Sequence, residues 1–244
     1  MIKAVVFDLD DTMYSYQNAH RYAFQAVSDY AVHQLGTTPE QFEALYKRKM
    51  SEHLARIGSN CSAIHNRLIR FQLMVEELRL PLSHAPVMES LYWRTLLAHM
   101  EPSPGLKETV EALKAAGYRI GVGTNMTADW QYEKLERLGL LDLIDFLVSS
   151  EEVNAEKPDR RLFLACVEKA GCLAQECLFL GDSIAHDVAG ALGAGMQAAW
   201  YAPSPRLEGA LPEGAQRISS LRQLPQLIAQ WNPSVRKGGS KDEA

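Results

Sequence analysis

Val5-Val6-Phe7-Asp8-Leu9-Asp10-Asp11-Thr12 opens the chain with apolar, strand-forming residues that run straight into carboxylates. Residues two apart on a strand share a face, so Asp8 and Asp10 are expected close together where a buried strand ends. Two carboxylates that close repel, and one would be driven to take up a proton. A bound divalent cation is the common remedy. The segment therefore reads as a buried strand with a metal site at its carboxyl end and an acid placed to attack a ligand.

Downstream, hydrophobic periodicity divides the chain. Residues 15–100 read as largely helical, in segments at about 17–35, 39–57, 62–79 and 84–98. Thr38-Pro39-Glu40-Gln41 has the form of a helix start, with proline in the first turn. Ile64, Leu68, Phe71 and Val75 recur at helical spacing and predict one packed face. Residues 101–231 alternate instead. Helices at 105–116, 128–138, 159–170, 184–193 and 221–230 interleave with strands at 118–124, 146–149, 177–180 and 197–201. Gly117, Gly139 and Gly171 act as helix stops. This alternation predicts an α/β fold, a parallel sheet covered by helices on both faces. Ligands of such sheets bind at the carboxyl ends of the strands. Pro, Gly-Gly and mixed charge mark 232–244 as a flexible tail.

The 244 residues suffice for one large domain, or for a core with a smaller domain inserted. With 47% apolar and 23% charged residues, the composition is that of an ordinary soluble globular protein. A net charge of −5 argues against a nucleic-acid polymer as partner. No apolar run is long enough to span a bilayer, which argues against a membrane partner. Lys3 is followed at once by strand residues and acids, unlike a signal peptide. Cys61, Cys166, Cys172 and Cys177 fall in expected helices and a strand and form no CxxC pair. They read as reduced thiols of a cytoplasmic protein, not as a zinc site. Nothing in the sequence points to an oligomeric state.

Four polar clusters stand where strands are expected to end. The first is Asp8, Asp10 and Thr12, and the second is Thr124-Asn125. The third is Glu156-Lys157-Pro158-Asp159, and the fourth is Gly181-Asp182-Ser183 with His186-Asp187. In a parallel sheet all four converge on one edge. Asp182 adds a hard oxygen donor to Asp8 and Asp10, a set that suits Mg²⁺. Thr124 offers a hydroxyl, and Lys157 a fixed positive charge, to an anion. Acids for a metal beside a cation and a hydroxyl for an anion describe phosphoryl transfer.

In order and spacing these clusters resemble the haloacid dehalogenase superfamily. Asp8-Leu9-Asp10-Asp11-Thr12 matches its first motif, Thr124 its second, and Lys157-Pro158 its third. Gly181-Asp182-Ser183 with Asp187 matches its fourth, and Val188-Ala189-Gly190-Ala191 with Gly195-Met196 looks like its usual continuation. The resemblance spans residues 2–231. It implies a Rossmann-like catalytic core formed by 1–14 and 101–231, with a mobile all-helical cap inserted at 15–100. It implies that Asp8 is a nucleophile that forms an aspartyl-phosphate, and that Asp10 is a general acid and then a general base. Mg²⁺ would be held by the Asp8 carboxylate, the Asp10 main-chain carbonyl and Asp182. Thr124, Asn125 and Lys157 would bind phosphoryl oxygens, with Asp187 and Ser183 in support. The substrate would be a small soluble phosphate ester such as a nucleotide or sugar phosphate.

Family members that displace a halide lack the acid at Asp10, because a halide leaves without a proton. Asp10 therefore favours phosphate ester hydrolysis. The alternatives are a phosphomutase, a haloacid dehalogenase and a non-catalytic regulatory or binding protein on this fold. Phosphate release to water excludes the first. Chloride release without Mg²⁺ would favour the second, and a co-purifying partner with no ester turnover the third.

Met126 stands where the family often has glycine. Methionine adopts positive φ poorly, so the loop is expected to take another shape or to press Met126 against the substrate. Gly121 and Gly123 weaken their strand but would admit a ligand close to the backbone. Asp11 reads as a solvated or capping acid, His186 as a surface residue, and Trp93 and Trp130 as core. His65, Arg67, Arg70 and Gln72 lie on the third helical segment. They are either a solvated face or groups that reach over the site and select the leaving group. Tyr14, Tyr16 and His20 either stack on a base or sugar, or pack at the hinge.

Overall fold

The computed structural model describes residues 1–204 and 209–232. Strand β1 (Ala4–Phe7) is followed by four helices, α1 (Tyr16–Tyr30), α2 (Pro39–Ile57), α3 (Arg67–Glu77) and α4 (His84–Ala98). Next come α5 (Leu106–Ala115), β2 (Arg119–Thr124), α6 (Ala128–Arg137), β3 (Phe146–Ser149), α7 (Ser150–Val153) and α8 (Arg160–Ala170). β4 (Cys177–Gly181), α9 (Ala189–Gly193), β5 (Gln197–Tyr201), β6 (Gln216–Ile218) and α10 (Leu224–Trp231) follow. The strands form one parallel sheet in the order β3-β2-β1-β4-β5-β6. This is the Rossmann-like α/β arrangement, and its order reverses between β1 and β4. The crevice beyond those two strands is where such sheets hold ligands.

Both faces of the sheet are covered. Val5 and Phe7 pack with Ile120, Val122, Leu178 and Leu180 in one core. Ala4 and Val6 pack with Val148, Phe163, Cys177 and Phe179 in the other. With water excluded from both sides, the strands read as unbroken apolar runs. Burying each of the larger side chains contributes about 1.5–3 kcal/mol.

Local chemistry ends the helices where the sequence signals them. Thr38 and Gln41 form a reciprocal capping box ahead of α2, with Pro39 at its start. Gly117, Gly139 and Gly171 carry φ of 85°, 67° and 66° beyond α5, α6 and α8. The same glycine argument fails in β2. A Cβ at Gly121 would lie 2.2 Å from the Phe146 ring, and one at Gly123 would lie 2.8 Å from Phe179. These glycines make room for core rings, not for a ligand.

Other expectations change. β1 spans Ala4–Phe7, and β6 is a strand beyond those expected from the sequence. Residues 62–79 are not one helix: Ser62–His65 forms a separate 3₁₀ turn, and Asn66 caps α3 through Ile69 N–H at 3.0 Å. The packed face of α3 is Arg67, Arg70, Phe71, Met74 and Val75, whereas Leu68 is 39% exposed. Residues 184–193 divide into a π-helical turn, Ile184–Val188, and α9. Cys61 and Cys172 lie outside the regular helices and strands, and all four thiols are free. Asn232 is no part of a loose tail, because its Oδ1 accepts from Ile2 N–H at 2.6 Å. The remainder of that expected tail, 233–244, lies outside the described residues. No helix of the described residues is long and apolar enough to cross a membrane.

Candidate active site

The crevice beyond β1 and β4 collects the polar strand ends. Asp8 leaves β1 with its N–H bonded to Leu180 O at 2.8 Å. Lys157 Nζ lies 2.5 Å from Asp8 Oδ1 and 2.7 Å from Asp187 Oδ1, with all three side chains under 10% exposed. Asn125 Oδ1 accepts from Lys157 N–H at 2.7 Å, so that side-chain carbonyl positions the lysine. Asp187 Oδ2 accepts from Ser183 N–H at 2.9 Å. A Cβ on Gly181 would lie 2.3 Å from Asp187 Cγ, so the end of β4 must be glycine for this acid to reach Lys157. Ser183 caps the π-helical turn through His186 N–H at 3.2 Å.

Carboxylate oxygens of Asp8, Asp182 and Asp187 lie within 4.8 Å of one another. Burial pushes the Asp8 carboxyl well above the usual range; Lys157 opposes this, while Asp187 and Asp182 add to it. Burial, with Asp187 and Asp11 nearby, pushes Asp182 up to about 7. Burial also favours a neutral Lys157, but Asp187 and Asp8 more than offset it and raise the ammonium's pKa. Three crowded acids against one lysine leave excess negative charge. Their oxygen donors fit a hard divalent cation such as Mg²⁺.

Asp10 stands apart from that cluster. β1 stops at Phe7, so the strand alternation that would pair Asp8 with Asp10 does not reach them. Lys134 Nζ sits 2.7 and 3.0 Å from the two Asp10 oxygens. Tyr14 O–H donates to Asp10 Oδ1, and Gln131 Nε2 approaches Oδ2 at 3.5 Å. Burial pushes the Asp10 carboxyl up, but Lys134, Tyr14 and Gln131 more than offset it and hold it below the ordinary range. Lys134 is fully buried, with the rings of Tyr14, Tyr16 and Trp93 within 5.9 Å. Asp8 and Asp10 thus each have their own lysine.

Above the crevice lies a cavity of about 780 Å³. Asp8, Thr124, Asn125, Met126, Lys157 and Asp182 line its floor; Tyr16, His20, His65, Arg67 and Arg70 line its helical side. His65 Nε2 meets Glu156 Oε2 at 2.9 Å, and Asn60 Oδ1 accepts from Glu156 N–H at 2.7 Å. These contacts tie the 60–65 segment to the loop that carries Lys157.

Residues 2–195 match the family model of haloacid dehalogenase-like hydrolases. The chain belongs to that family. It is 33% identical to the ribulose-1,5-bisphosphate 5-phosphatase of Halopiger xanaduensis, over 91% of this chain and 93% of that one. It is 34% identical to the glyceraldehyde 3-phosphate phosphatase of Methanothermobacter thermautotrophicus, over 81% and 84%. The crystal structure of a 2-haloacid dehalogenase from Pseudomonas syringae pv. tomato superposes with a TM-score of 0.78 at 31% identity, covering 95% of this chain and 100% of that one.

In this haloacid dehalogenase-like hydrolase the other sequence-derived residues fall as follows. Thr124 Oγ1 accepts from Gln131 Nε2 at 2.5 Å and donates to Asn125 O at 3.2 Å. Met126 does take positive φ, 117°, against expectation. Its N–H donates to Ser150 Oγ at 2.8 Å and its carbonyl accepts from the same hydroxyl at 3.3 Å, so neighbours hold the strained turn in place. Asp11 accepts from Gln17 N–H at 3.2 Å in the first turn of α1, as a capping acid would. Tyr14 is fully buried behind Asp10 and does not line the cavity. Trp93 and Trp130 stack at 4.3 Å and are likewise absent from its lining. Arg67 and Arg70 are each only 6% exposed, so the solvated-face reading fails for both. Gln131 and Lys134 escaped sequence reasoning. Their only local signal is helical spacing with Leu135, which does not name a partner; the structure buries all three on one side of α6, where an unpartnered amide or ammonium would be costly.

Proposed function

We propose that this hydrolase is a phosphatase of small phosphate esters, with Asp8 as nucleophile and Asp10 as general acid and base. The observation that carries the reading is Asp8 at the cavity floor, gripped by Lys157 through one oxygen, with Asp10 two residues on and held by a separate lysine. Two of the relatives above are phosphatases by name, which also supports it. We further propose that 1–14 and 101–231 form the catalytic core. Residues 15–100 would act as a cap that closes over the cavity and opens for product release.

The free Asp8 oxygen attacks phosphorus, forming an Asp8 O–P bond as the P–O bond to the leaving alcohol breaks. For this step Asp10 must first take up a proton from solvent against the pull of Lys134, and it then gives that proton to the alcohol oxygen. Asp10 then takes a proton from water as the water oxygen attacks phosphorus, which returns the Asp8 carboxylate and inorganic phosphate. Lys157 holds Asp8 in line and offsets charge on the phosphoryl oxygens. Asp8, Asp182 and Asp187, with the Asp10 main-chain carbonyl, are the groups that would hold Mg²⁺. When bound, Mg²⁺ supplies positive charge between the Asp8 carboxylate and an incoming phosphate. A cytoplasmic setting fits the four free thiols.

One observation favours a second reading, halide displacement from a 2-haloacid. Lys134 holds Asp10 ionised, and a halide leaves without needing a proton. A screen of phosphorylated metabolites and 2-haloacids, with and without Mg²⁺, separates the two. Mg²⁺-dependent phosphate release that disappears in Asp8→Asn is expected. Chloride release without phosphate release, or an Asp8→Asn protein with the wild-type phosphatase rate, would overturn the proposal.

A further inference from the structure

The helical side of the cavity carries an unexplained charge. Arg67 and Arg70 stand nearly one turn apart on α3, both line the cavity, and both are 6% exposed. Among the described residues, every hydrogen bond they donate goes to an uncharged oxygen. Arg67 donates to His65 O at 2.6 Å and to Tyr16 Oη at 2.8 Å. Arg70 donates to Tyr46 Oη at 3.0 Å and to Ile64 O. The Nε atoms of both are buried and, among the described residues, have no hydrogen-bond partner. The nearby Glu43 does not neutralise them, because it is paired with Lys47 at 2.5 Å.

Two like charges held one turn apart repel, and a buried cation without a counter-charge is unfavourable. Holding the 62–65 turn does not account for the pair, since a neutral donor would bind those carbonyls without the charge penalty. Rings already orient the groups: Arg67 lies 5.4 Å from the centre of the Tyr92 ring, and Arg70 lies 5.8 Å from that of Tyr46. Preoriented guanidinium forks with spare donors are suited to planar or tetrahedral oxyanions.

We propose that Arg67 and Arg70 form a second anion subsite, so that the substrate is a phosphate ester bearing a further carboxylate or phosphate at its other end. This rests on the phosphatase reading and deepens it: Asp8 and Lys157 take the scissile phosphate while α3 holds the second anion.

The test measures kcat/KM, with Mg²⁺ present, on esters matched in length that differ in one terminal group. A phosphocarboxylic acid is compared with its amide, and a sugar bisphosphate with the monophosphate. Wild type is expected to prefer the doubly anionic member by about 10–100-fold, in keeping with charge-assisted hydrogen bonds to a desolvated anion. Arg70→Gln should lower that ratio about tenfold, and Arg70→Lys should restore part of it through charge alone. Each ratio is taken within one preparation, so a misfolded fraction cancels. The member of the two pairs with the larger preference identifies the second anion. Equal turnover of both members by wild type, or a ratio unmoved in Arg70→Gln, would overturn the subsite.

A binding experiment keeps the two readings distinguishable. Phosphonoacetate and methylphosphonate are titrated calorimetrically into wild type and Arg70→Gln. Tighter binding of phosphonoacetate, lost in the variant, supports the subsite even if no ester is hydrolysed, a result that would sink the phosphatase reading alone. Equal binding of the two ligands by wild type sinks the subsite.

Discussion

Replacing Lys134 with methionine asks whether charge holds the nest around Asp10. The ammonium is fully buried and lies 2.7 and 3.0 Å from the Asp10 oxygens. Methionine keeps most of the apolar stem, so the change removes chiefly the cation. Removing one partner of a buried pair costs about 3–5 kcal/mol, because the other charge is stranded. The Asp10 side chain is 27% exposed, so water recovers part of this and the expected loss is about 2–3 kcal/mol. In a chain of this size that lowers the melting temperature by about 4–12 °C. Adding Asp10→Asn to Lys134→Met leaves no stranded charge. The double variant should therefore be more stable than the summed single losses predict, by about 1–2 kcal/mol. Calorimetric melts of wild type, both single variants and the double variant close this cycle. Strictly additive losses, or a Lys134→Met melt within about 1 °C of wild type, would refute the reasoning.

Asp182→Asn should weaken Mg²⁺ binding at least about tenfold in calorimetric titration, because one anionic oxygen donor is lost from the Asp8–Asp187 cluster; unchanged affinity would place the cation elsewhere. Gly181→Ala should destabilise the protein by about 1–3 kcal/mol and slow turnover, since the new methyl displaces Asp187 from Lys157; an unchanged melt and rate would show that the acid can yield. His20 is held down to about 4 by burial and by Arg67 and Arg70, below its unfolded value near 6.5. Its contribution to stability is therefore complete above pH 6.5 and is lost as pH falls toward 4, at no more than about 1.4 kcal/mol per pH unit. His20→Gln should melt closer to wild type at pH 5 than at pH 7; a constant difference between the two would contradict the assignment.

Asp8, Thr124 and Asp182 were legible as strand-end residues because the signals that place them are local, whereas Lys157 stands not at a strand end but in the loop between α7 and α8, beyond the Ser149 end of β3. Apolar runs, helix-stopping glycines and capping residues act over a few positions, and parallel pairing brings the ends to one edge. Asp187 was half legible: an acid in a helix's first turn has a dipole explanation of its own, and only tertiary contact shows it bound to Lys157. Lys134 and Gln131 were hidden because their partner Asp10 is more than 120 residues away. On α3, Leu68 is exposed where the periodicity expected it packed, and Arg67 is buried where a solvated face was one of two readings. The apolar periodicity placed Phe71 and Val75 correctly, but Ser62–His65 forms a separate 3₁₀ turn and α3 buries Arg67 and Arg70 in place of Leu68. Propensity alone misjudged Met126, whose positive φ is imposed by Ser150 from across the sheet edge.

Charge is segregated along the cavity, and this couples cation binding to substrate orientation. The floor sets Asp8, Asp182 and Asp187 against Lys157, with Asp11 nearby, whereas the helical side carries Arg67 and Arg70 with Glu43 and Lys47 cancelling. Two unit charges 4 Å apart interact by about 4 kcal/mol at an effective dielectric constant near 20, so one uncompensated floor acid is enough to turn a phosphate away. The arginines attract the same group with comparable strength. An ester with a single anionic end is therefore drawn to the wrong end of the cavity until a divalent cation offsets the floor. A ligand with two anionic ends satisfies the arginines first and can occupy the cavity before the cation arrives. Mg²⁺ should then change the affinity for the first kind of ligand far more than for the second, even though turnover of both is expected to depend on it. That difference follows from where the charges sit, and it separates a role for the arginines in orienting substrate from one in merely holding the 62–65 turn.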